Sequence, residues 1–164
     1  MSVVLSHAGV VRVQAALAAA GLASGIVELP GAARTARAAA GFLGCEVGQI
    51  ANSLVFRGAS SGEPLLAMSS GARRVDLQRL AALAGEPIGK ADAEYVRRHT
   101  GFAIGGVAPV GHSQPLRTFV EQSLAAYGEI WAAAGHPHTV FPLSFDQLVR
   151  LTGGSAAAFA EPIA

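Results

Sequence analysis

The chain has 164 residues, which is enough for one domain with a sizeable core, and 51% of them are apolar. Because only 14% are charged and the formal net charge is +1, the composition excludes a disordered chain and argues against a protein that holds duplex DNA through phosphate contacts. The single cysteine, Cys45, cannot form an internal disulfide or make a cysteine-based zinc site, and it fits a reducing compartment.

The N-terminal segment predicts a helix of a soluble protein rather than a leader or a membrane span. It lacks a basic region before its apolar part, and His7, Arg12 and Gln14 interrupt the apolar run. No apolar stretch in the sequence approaches the length that a bilayer span needs. We therefore expect a cytoplasmic protein with no membrane partner.

Apolar periodicity and capping residues predict the elements of the first half of the chain. Thr35 is a good N-cap for the second helix, and Gly44 is a good stop for it. The predicted elements are a helix over 7–20 between Ser6 and Gly21, a strand over 26–29, a helix over 36–42, a buried strand over about 49–57 and a strand over 64–68.

The second half of the chain alternates short helices and strands without a regular order. The final residues, 155–164, carry no strong pattern, and we expect them to be loosely ordered. The irregular order predicts a single α+β (mixed α/β) domain over residues 1–164 around a mixed sheet. The predicted elements are a helix from Asp76 to Gly85, a helix over 92–99, strands over 102–104, 117–120, 130–133 and 139–141, and a last helix opened by a Ser144–Gln147 capping box and ended by Gly153.

Two short motifs match known signatures only formally. Residues 58–62 fit the G-x-S-x-G pattern, but a nucleophile elbow leads from a strand into a helix, and this turn leads into another strand. Residues 85–91 resemble a phosphate-binding loop, yet they have three residues between the glycines, and Ala91 follows Lys90 in place of Ser or Thr. Neither motif predicts a site.

The stretch from Thr100 to His112, TGFAIGGVAPVGH, is the strongest candidate for a site. Gly105 and Gly106, followed by Pro109 and a further glycine, require backbone conformations that other residues adopt poorly. Loops of this kind let backbone N–H groups approach a ligand closely. An ordinary turn between two strands is the alternative that the residues leave open.

Neither a metal nor a cofactor is expected from the sequence. His112, His136 and His138 could in principle hold zinc, but no spacing signature completes the set, and Pro137 indicates a turn between the last two. Cys45 has no feature of an activated nucleophile. No paired carboxylates appear, so the residues taken alone do not specify a reaction.

Asn52 lies in the middle of the predicted strand over 49–57. A polar amide in a buried strand must find partners, or it costs of order 1–3 kcal/mol. The residues leave two interpretations open, which are a structural hydrogen bond inside the sheet and a local bulge of the strand.

Four segments in order resemble the YbaK-like family, the free-standing relatives of the editing domain inserted in bacterial prolyl-tRNA synthetases. The resemblance covers about residues 25–154, and the segments are TARAAAGFLGCEVGQIANSLVF (35–56), SSGARRVDLQRLA (69–81), TGFAIGGVAPVGH (100–112) and WAAAGHPHTVFPLSFDQLVRLTGG (131–154). It implies a mixed, mostly antiparallel central sheet flanked by helices. The 7–20 helix lies outside the resemblance, and we expect it to pack on this region. It also implies a trans-editing deacylase that hydrolyses the ester between an amino acid and the 3′ end of a mischarged tRNA, with a synthetase as a candidate partner.

The resemblance also implies the site. The family's G-x-x-x-P loop matches Gly105 to Pro109, and the backbone N–H groups of Gly105, Gly106 and Val107 are the candidates for stabilising an oxyanion. The family's strand lysine, which contacts the end of the tRNA, is replaced here by Asn52, a fourth candidate catalytic residue. An adjacent ribose hydroxyl of the tRNA is proposed to assist. The candidate substrate-binding residues are Thr35, Ser53, Pro109, His112, His136 and His138.

Replacement of a lysine by an amide supports an alternative function. A lysine provides a cation, whereas Asn52 is neutral and both donates and accepts hydrogen bonds. The alternative is therefore a non-catalytic relative that binds an aminoacyl-tRNA or an amino acid. Small residues around the loop favour a small amino acid in either case.

Overall fold

The structure is a computed structural model that describes residues 3–23 and 25–163. Its helices are α1 (Ala8–Ala19), α2 (Ala36–Leu43), α3 (Leu77–Ala84), α4 (Ala93–Thr100) and α5 (Phe145–Thr152), with 3₁₀ turns at Val47–Gln49 and Gln122–Ala126. Its strands are β1 (Val27–Glu28), β2 (Ile50–Gly58), β3 (Pro64–Ser70), β4 (Arg73–Val75), β5 (Ile88–Lys90), β6 (Arg117–Glu121), β7 (Ile130–Ala133), β8 (Thr139–Leu143), β9 (Ser155–Ala157) and β10 (Ala160–Pro162).

The strands form one mixed sheet in the order β1-β8-β7-β2-β3-β6-β9, and β5 pairs with the far end of β2. Within it, β1–β8, β7–β8, β2–β3 and β2–β5 are antiparallel, whereas β2–β7, β3–β6 and β6–β9 are parallel. β4 and β10 form a separate antiparallel pair. The mixed sheet with its antiparallel majority confirms the predicted fold class. In the described part of the chain, no helix combines the length and apolar character that a membrane span requires.

β3 lies inside the sheet between β2 and β6, and every one of its residues is buried. It follows β2 through the turn at residues 58–63, where the Gly58 N–H donates to Glu63 O at 3.0 Å. The turn is thus a hairpin between two strands. The G-x-S-x-G match there has no helix after it and is not a nucleophile elbow.

The core lies on both faces of the sheet. On one face, α1 contributes Val13 and Leu17 to the main cluster, which contains Met68 of β3 and Phe102 from the loop after α4. On the other face, Leu80 of α3 packs in a smaller cluster with Leu65, Phe119 and Phe159. The predicted N-terminal helix is confirmed, although its N-cap is His7, whose Nδ1 accepts from the Gly9 N–H, rather than Ser6.

The predicted loose order of the tail over 155–164 is wrong, apart from residue 164, which lies outside the described residues. β9 extends the sheet beside β6, and β10 pairs with β4. Phe159 between them is fully buried, and its N–H donates to Oε2 of the buried Glu121 at 2.6 Å. The open edge of β6 and the apolar cluster around Phe159 therefore order this segment, although its own sequence has little periodic pattern.

The predicted strand over 102–104 is also wrong. Gly101 and Gly105 have φ angles of +81° and +92°, so the backbone turns at both ends of this triplet. The Thr100 Oγ1 accepts from the Phe102 N–H at 3.0 Å and fixes the first turn. Phe102 is buried in the core while Ile104 is exposed. Residues 102–104 therefore form an irregular loop and do not pair with a strand.

Candidate active site

A cleft of about 240 Å³, which we call the central cleft, opens where β2 has no neighbour along part of one edge. Among the described strands, β7 pairs with β2 at Ile50–Ala51 and β5 pairs with it at Phe56–Gly58, which leaves residues 52–55 unpaired on that edge. On the opposite edge, Ile50 O accepts from the Gly71 N–H. Because successive residues of an antiparallel strand face opposite edges, Ser53 directs its N–H and C=O toward the opening.

Four parts of the chain surround the central cleft. They are the start of α2, the middle of β2, the loop after α4, and the turn between β7 and β8. The lining residues that bear on its chemistry are Arg34, Thr35, Asn52, Ser53, Gly105, Val107, Trp131, Pro137 and Thr139. Five of the ten residues predicted for the site therefore meet here, from segments that are far apart in the sequence.

Asn52 presents its amide to the central cleft. It is half-buried, and its side chain makes no hydrogen bond to any other described residue. The structural hydrogen bond inside the sheet, which was one interpretation of this residue, is absent from the described contacts. The amide is therefore available to donate to, and accept from, a bound molecule.

Two residues of the loop after α4 that line the central cleft have backbone donors without a partner among the described residues. Gly105 and Val107 both line it, and their N–H groups have no hydrogen-bond acceptor among the described residues. The Gly106 N–H differs, since it donates to Ala103 O at 3.0 Å within the turn. Of the three candidate N–H groups, those of Gly105 and Val107 therefore remain available to a ligand, and that of Gly106 is already engaged.

Thr35 and Ser53 reach the central cleft with hydroxyls that already have partners. Thr35 Oγ1 accepts from the Ala38 N–H at 3.0 Å, which confirms Thr35 as the N-cap of α2. Ser53 Oγ donates to Met68 Sδ at 3.3 Å across the β2–β3 ladder. The Thr35 hydroxyl can still donate its proton to a ligand. The Ser53 hydroxyl proton is engaged, so Ser53 would contact a ligand through its backbone N–H or C=O.

Pro109 and His112 lie away from the central cleft. Both line a different surface depression beside the C-terminal half of α1. His112 Nε2 donates to Ala108 O at 2.7 Å, and its ring packs edge-on against Phe102. Burial lowers the pKa of His112, with a smaller contribution of the same sign from Arg12. The predicted substrate contacts by Pro109 and His112 are not supported, and the geometry gives His112 the role of bracing the loop.

His136 and His138 flank the central cleft without lining it. Pro137 between them lines it, while His136 lines a neighbouring cavity together with Gly106. The His138 N–H donates to His136 Nδ1 at 3.0 Å, which confirms that the two residues belong to a turn. Within residues 3–23 and 25–163, no three His, Cys, Asp or Glu side chains are grouped so that they could hold a metal.

Arg34 is the functional candidate that the sequence reasoning missed. It is exposed, and it carries the positive charge among the described residues that line the central cleft. It directly precedes the Thr35 cap and lies one residue before the first segment of the resemblance. The sequence feature that could have identified Arg34 is its position next to the N-cap of a helix. The partial positive charge at the start of a helix favours a bound anion, and an adjacent cation strengthens that preference.

The described lining of the central cleft has no general base that could activate the Thr35 or Ser53 hydroxyl as a nucleophile. Among the described residues that line it, none carries a carboxylate, an imidazole or a thiol. Cys45 packs by Ala39 and Ala40, and burial raises the pKa of its thiol, which disfavours the reactive thiolate. The arrangement offers hydrogen-bond donors and one cation, which can stabilise negative charge developing on an oxygen.

Comparisons with known proteins place the chain in a family. The profile of the aminoacyl-tRNA editing domain family matches residues 31–151. A candidate Cys-tRNA(Pro)/Cys-tRNA(Cys) deacylase from Enterococcus faecalis, EbsC, is 28% identical over 124 residues, which is 75% of each protein. The residues matched by the profile include every residue that lines the central cleft.

Two solved structures have the same fold, and the name of one of them mentions trans-editing. The structure of a candidate trans-editing enzyme for prolyl-tRNA synthetase is 44% identical with a TM-score of 0.88, and the match covers 94% of this chain and 98% of that one. The structure of a hypothetical protein is 26% identical with a TM-score of 0.85, covering 92% and 99%. With the fold, the loop and the profile match in agreement, the chain belongs to the aminoacyl-tRNA editing domain family, in its YbaK-like group.

Proposed function

We propose that this protein hydrolyses the ester bond between a small amino acid and the terminal adenosine of a mischarged tRNA, acting in trans. Membership of the editing family makes it an aminoacyl-tRNA deacylase, and the proposal adds which groups act and which amino acids fit. The observation that carries it is the pair of unengaged N–H groups at Gly105 and Val107 in the same cleft as the unengaged Asn52 amide.

The reaction needs little from the protein because an aminoacyl ester is already activated. A water molecule attacks the carbonyl carbon, and negative charge develops on the carbonyl oxygen. The Gly105 and Val107 N–H groups then donate to that oxygen, and Asn52 donates a third hydrogen bond or orients the ribose. When the tetrahedral intermediate collapses, the carbon–oxygen bond to the ribose breaks, and a proton from the water passes to the ribose oxygen.

The proton route in this proposal runs through the substrate. None of the described residues lining the central cleft is a general base, so the ribose hydroxyl adjacent to the ester is the nearest group that can relay the proton. The family resemblance implies the same assistance. Arg34 and the start of α2 supply the positive potential that the strand lysine supplies in relatives.

The dimensions of the central cleft favour a small aminoacyl group. Its volume of about 240 Å³ lies below the roughly 300–1,000 Å³ typical of drug-sized ligands. Ala33, Ala36, Ala39 and Ala133 line it with small side chains, and Trp131 offers a flat face for an adenine ring. Alanine, serine, threonine and cysteine esters are therefore the substrates to test.

A synthetase partner and a cytoplasmic location belong to the proposal as well. An enzyme that corrects charging errors acts where tRNA is charged. Adding prolyl-tRNA synthetase, which the name of the 44% identical relative mentions, to the deacylation assay would test the partner. A rate or affinity that is unchanged by the synthetase would remove it from the proposal.

The decisive experiment incubates the purified protein with tRNAs carrying alanine, serine, threonine or cysteine and measures the released amino acid. We expect release of at least one of them above the buffer rate. Asn52→Ala should lower kcat/KM by roughly 10- to 100-fold, as loss of a transition-state donor does. Gln78→Ala is the matched control, because it removes an exposed amide on α3 outside the cleft.

The alternative, a binding protein without turnover, makes a different prediction in the same assay. It predicts tight binding of a non-hydrolysable amide analogue of aminoacyl-adenosine and no release from any tRNA. If Asn52→Lys then created activity in the inert protein, the missing lysine would explain the loss. Release by the wild type would exclude this alternative.

A further inference from the structure

A second cavity, which we call the basic pocket, lies next to the central cleft. It has a volume of about 410 Å³ and is formed by the start of α1, the end of α4, the beginning of the following loop and the turn at Gly135–Pro137. Pro137 lines both cavities, while Gly105 lines the central cleft and Gly106 lines the basic pocket. The two sites are therefore separated by the thickness of one backbone segment.

The basic pocket concentrates positive and proton-donating groups without compensation. Arg12, Arg97, His7 and His136 line it, and none of the described lining residues has a carboxylate. Neither arginine forms an ion pair within residues 3–23 and 25–163. A chain with a formal net charge of only +1 thus gathers cations in one cavity.

Arg12 is held in place there by contacts that leave its charge unneutralised. Its Nη2 donates to Thr100 O at 3.2 Å, and its guanidinium carbon lies 4.4 Å from the centre of the Phe102 ring. Its Nε is shielded from solvent and has no hydrogen-bond partner among the described residues. A fixed guanidinium of this kind is suited to phosphate recognition.

The two histidines add donors of defined tautomer. His7 Nδ1 accepts from the Gly9 N–H at 3.1 Å, and His136 Nδ1 accepts from the His138 N–H at 3.0 Å. In each neutral ring the proton therefore lies on Nε2, which remains a donor. Burial, with the nearby His7 and His138, lowers the pKa of His136, while Glu28 acts in the opposite direction, and a bound anion would likewise favour the charged ring.

We propose that the basic pocket binds a phosphate of the tRNA 3′ end while the terminal ester occupies the central cleft. This inference rests on the proposed function. An aminoacyl ester has no free carboxylate, so phosphates are the anions that such a substrate can place beside the cleft. The pocket then adds cationic contacts from α1 and α4 to the positive charge that Arg34 gives the central cleft.

The test measures binding without turnover. The probe is a labelled single-stranded ACCA oligonucleotide, with adenosine and inorganic phosphate as separate ligands. Arg97→Gln should weaken ACCA binding roughly two- to fivefold, as expected for one exposed charge contact, and should reduce the dependence of log K on log salt by about 0.7. Adenosine binding should not change, and Arg97→Lys should keep most of the affinity.

Arg98→Gln is the matched control, since Arg98 is the next residue of α4 and lies near the Tyr95 ring instead of the pocket. Equal effects of Arg97→Gln and Arg98→Gln on ACCA binding would overturn the proposal. So would inorganic phosphate binding as tightly as ACCA, because the pocket would then be a free-phosphate site. Failure of the wild type to release any amino acid would instead contradict the proposed function, because ACCA binding is measured without hydrolysis.

Discussion

Gly106 packs directly against the backbone of His136. A Cβ built on Gly106 would lie 3.0 Å from the His136 Cα and 3.1 Å from its N. The loop that contains Gly105 and Val107 thus packs against the turn between β7 and β8 at Gly106, where there is no room for a side chain. The distance between loop and turn sets where those two donors stand in the central cleft.

Gly106→Ala should therefore impair hydrolysis. The added methyl group pushes the loop away from the turn by a few tenths of an ångström, and the Gly105 and Val107 donors move with it. We expect kcat/KM for an aminoacyl-tRNA to fall roughly 10- to 100-fold. The single changes His112→Gln, His136→Gln and His138→Gln should each cost less.

Gly128→Ala is the control for this change, because a Cβ there meets nothing within 4 Å. Steady-state kinetics on the same tRNA, with thermal denaturation to compare folding, would check the result. A histidine variant that lost more activity than Gly106→Ala would contradict the role given to the backbone donors.

Arg34→Gln should weaken the substrate complex moderately. Arg34 is exposed, so water and salt screen its charge, and we expect KM to rise roughly threefold at low salt and less at high salt. Arg37→Gln changes an exposed arginine one turn further along α2 that does not line the cleft, and it should leave KM unchanged. If adding Asn52→Lys to the Arg34→Gln variant failed to offset the rise in KM, the two positions would not share the proposed electrostatic role.

Phe159→Ala should destabilise the protein strongly. Phe159 is fully buried with Leu65, Leu80 and Phe119, and truncating a buried Phe leaves a cavity that typically costs about 3–5 kcal/mol. Denaturant unfolding would measure the change. Ile163→Ala removes a mostly exposed side chain from the same tail and should shift the free energy of unfolding by less than about 0.5 kcal/mol. Equal effects of the two would mean that the tail is not packed in solution.

His112 should make the protein less stable in acid. Its pKa in the fold is lowered, chiefly by burial, so the unfolded chain takes up the proton at a higher pH than the folded chain does. The stability it contributes is full above its unfolded pKa of about 6.5 and is lost as the pH falls through that value toward the lower folded pKa.

His112→Gln keeps a side-chain donor near Ala108 O without a titrating ring. Its stability should therefore change less between pH 7.5 and pH 5 than that of the wild type, as thermal denaturation at the two values would show. An identical pH dependence in both proteins would assign the acid sensitivity to other groups.

Local patterns predicted most of the fold. β2, β3 and α5 lie close to their predicted bounds, because alternation, a turn and a capping box are properties of neighbouring residues. The prediction of a strand over 102–104 is wrong because it, too, used only neighbouring residues. Three apolar residues in a row occur both in strands and in loops that bury an apolar side chain. The loop forms instead of a strand because Thr100 Oγ1 accepts a hydrogen bond from the Phe102 N–H and turns the backbone there.

Features that depend on distant partners could not be predicted. The tail becomes β9 and β10 because β6 and β4 offer it open edges. Arg12 reaches Thr100, which is 88 residues away, and nothing near either residue indicates the contact. For the site, the resemblance indicated Asn52 and the glycine loop, but only the fold separates the Gly106 N–H from its two neighbours and places Arg34 in the cleft.

The interrupted edge of β2 also bears on self-association. A free strand edge invites pairing with another chain, and proteins usually shorten or cover such edges. Here residues 52–55 form an unpaired edge inside the sheet, with β7 at one end and β5 at the other. A strand from a second molecule would have to fit between these two, which leaves too little length for a stable ladder. The sheet can thus expose backbone groups to a small ligand without becoming a template for aggregation.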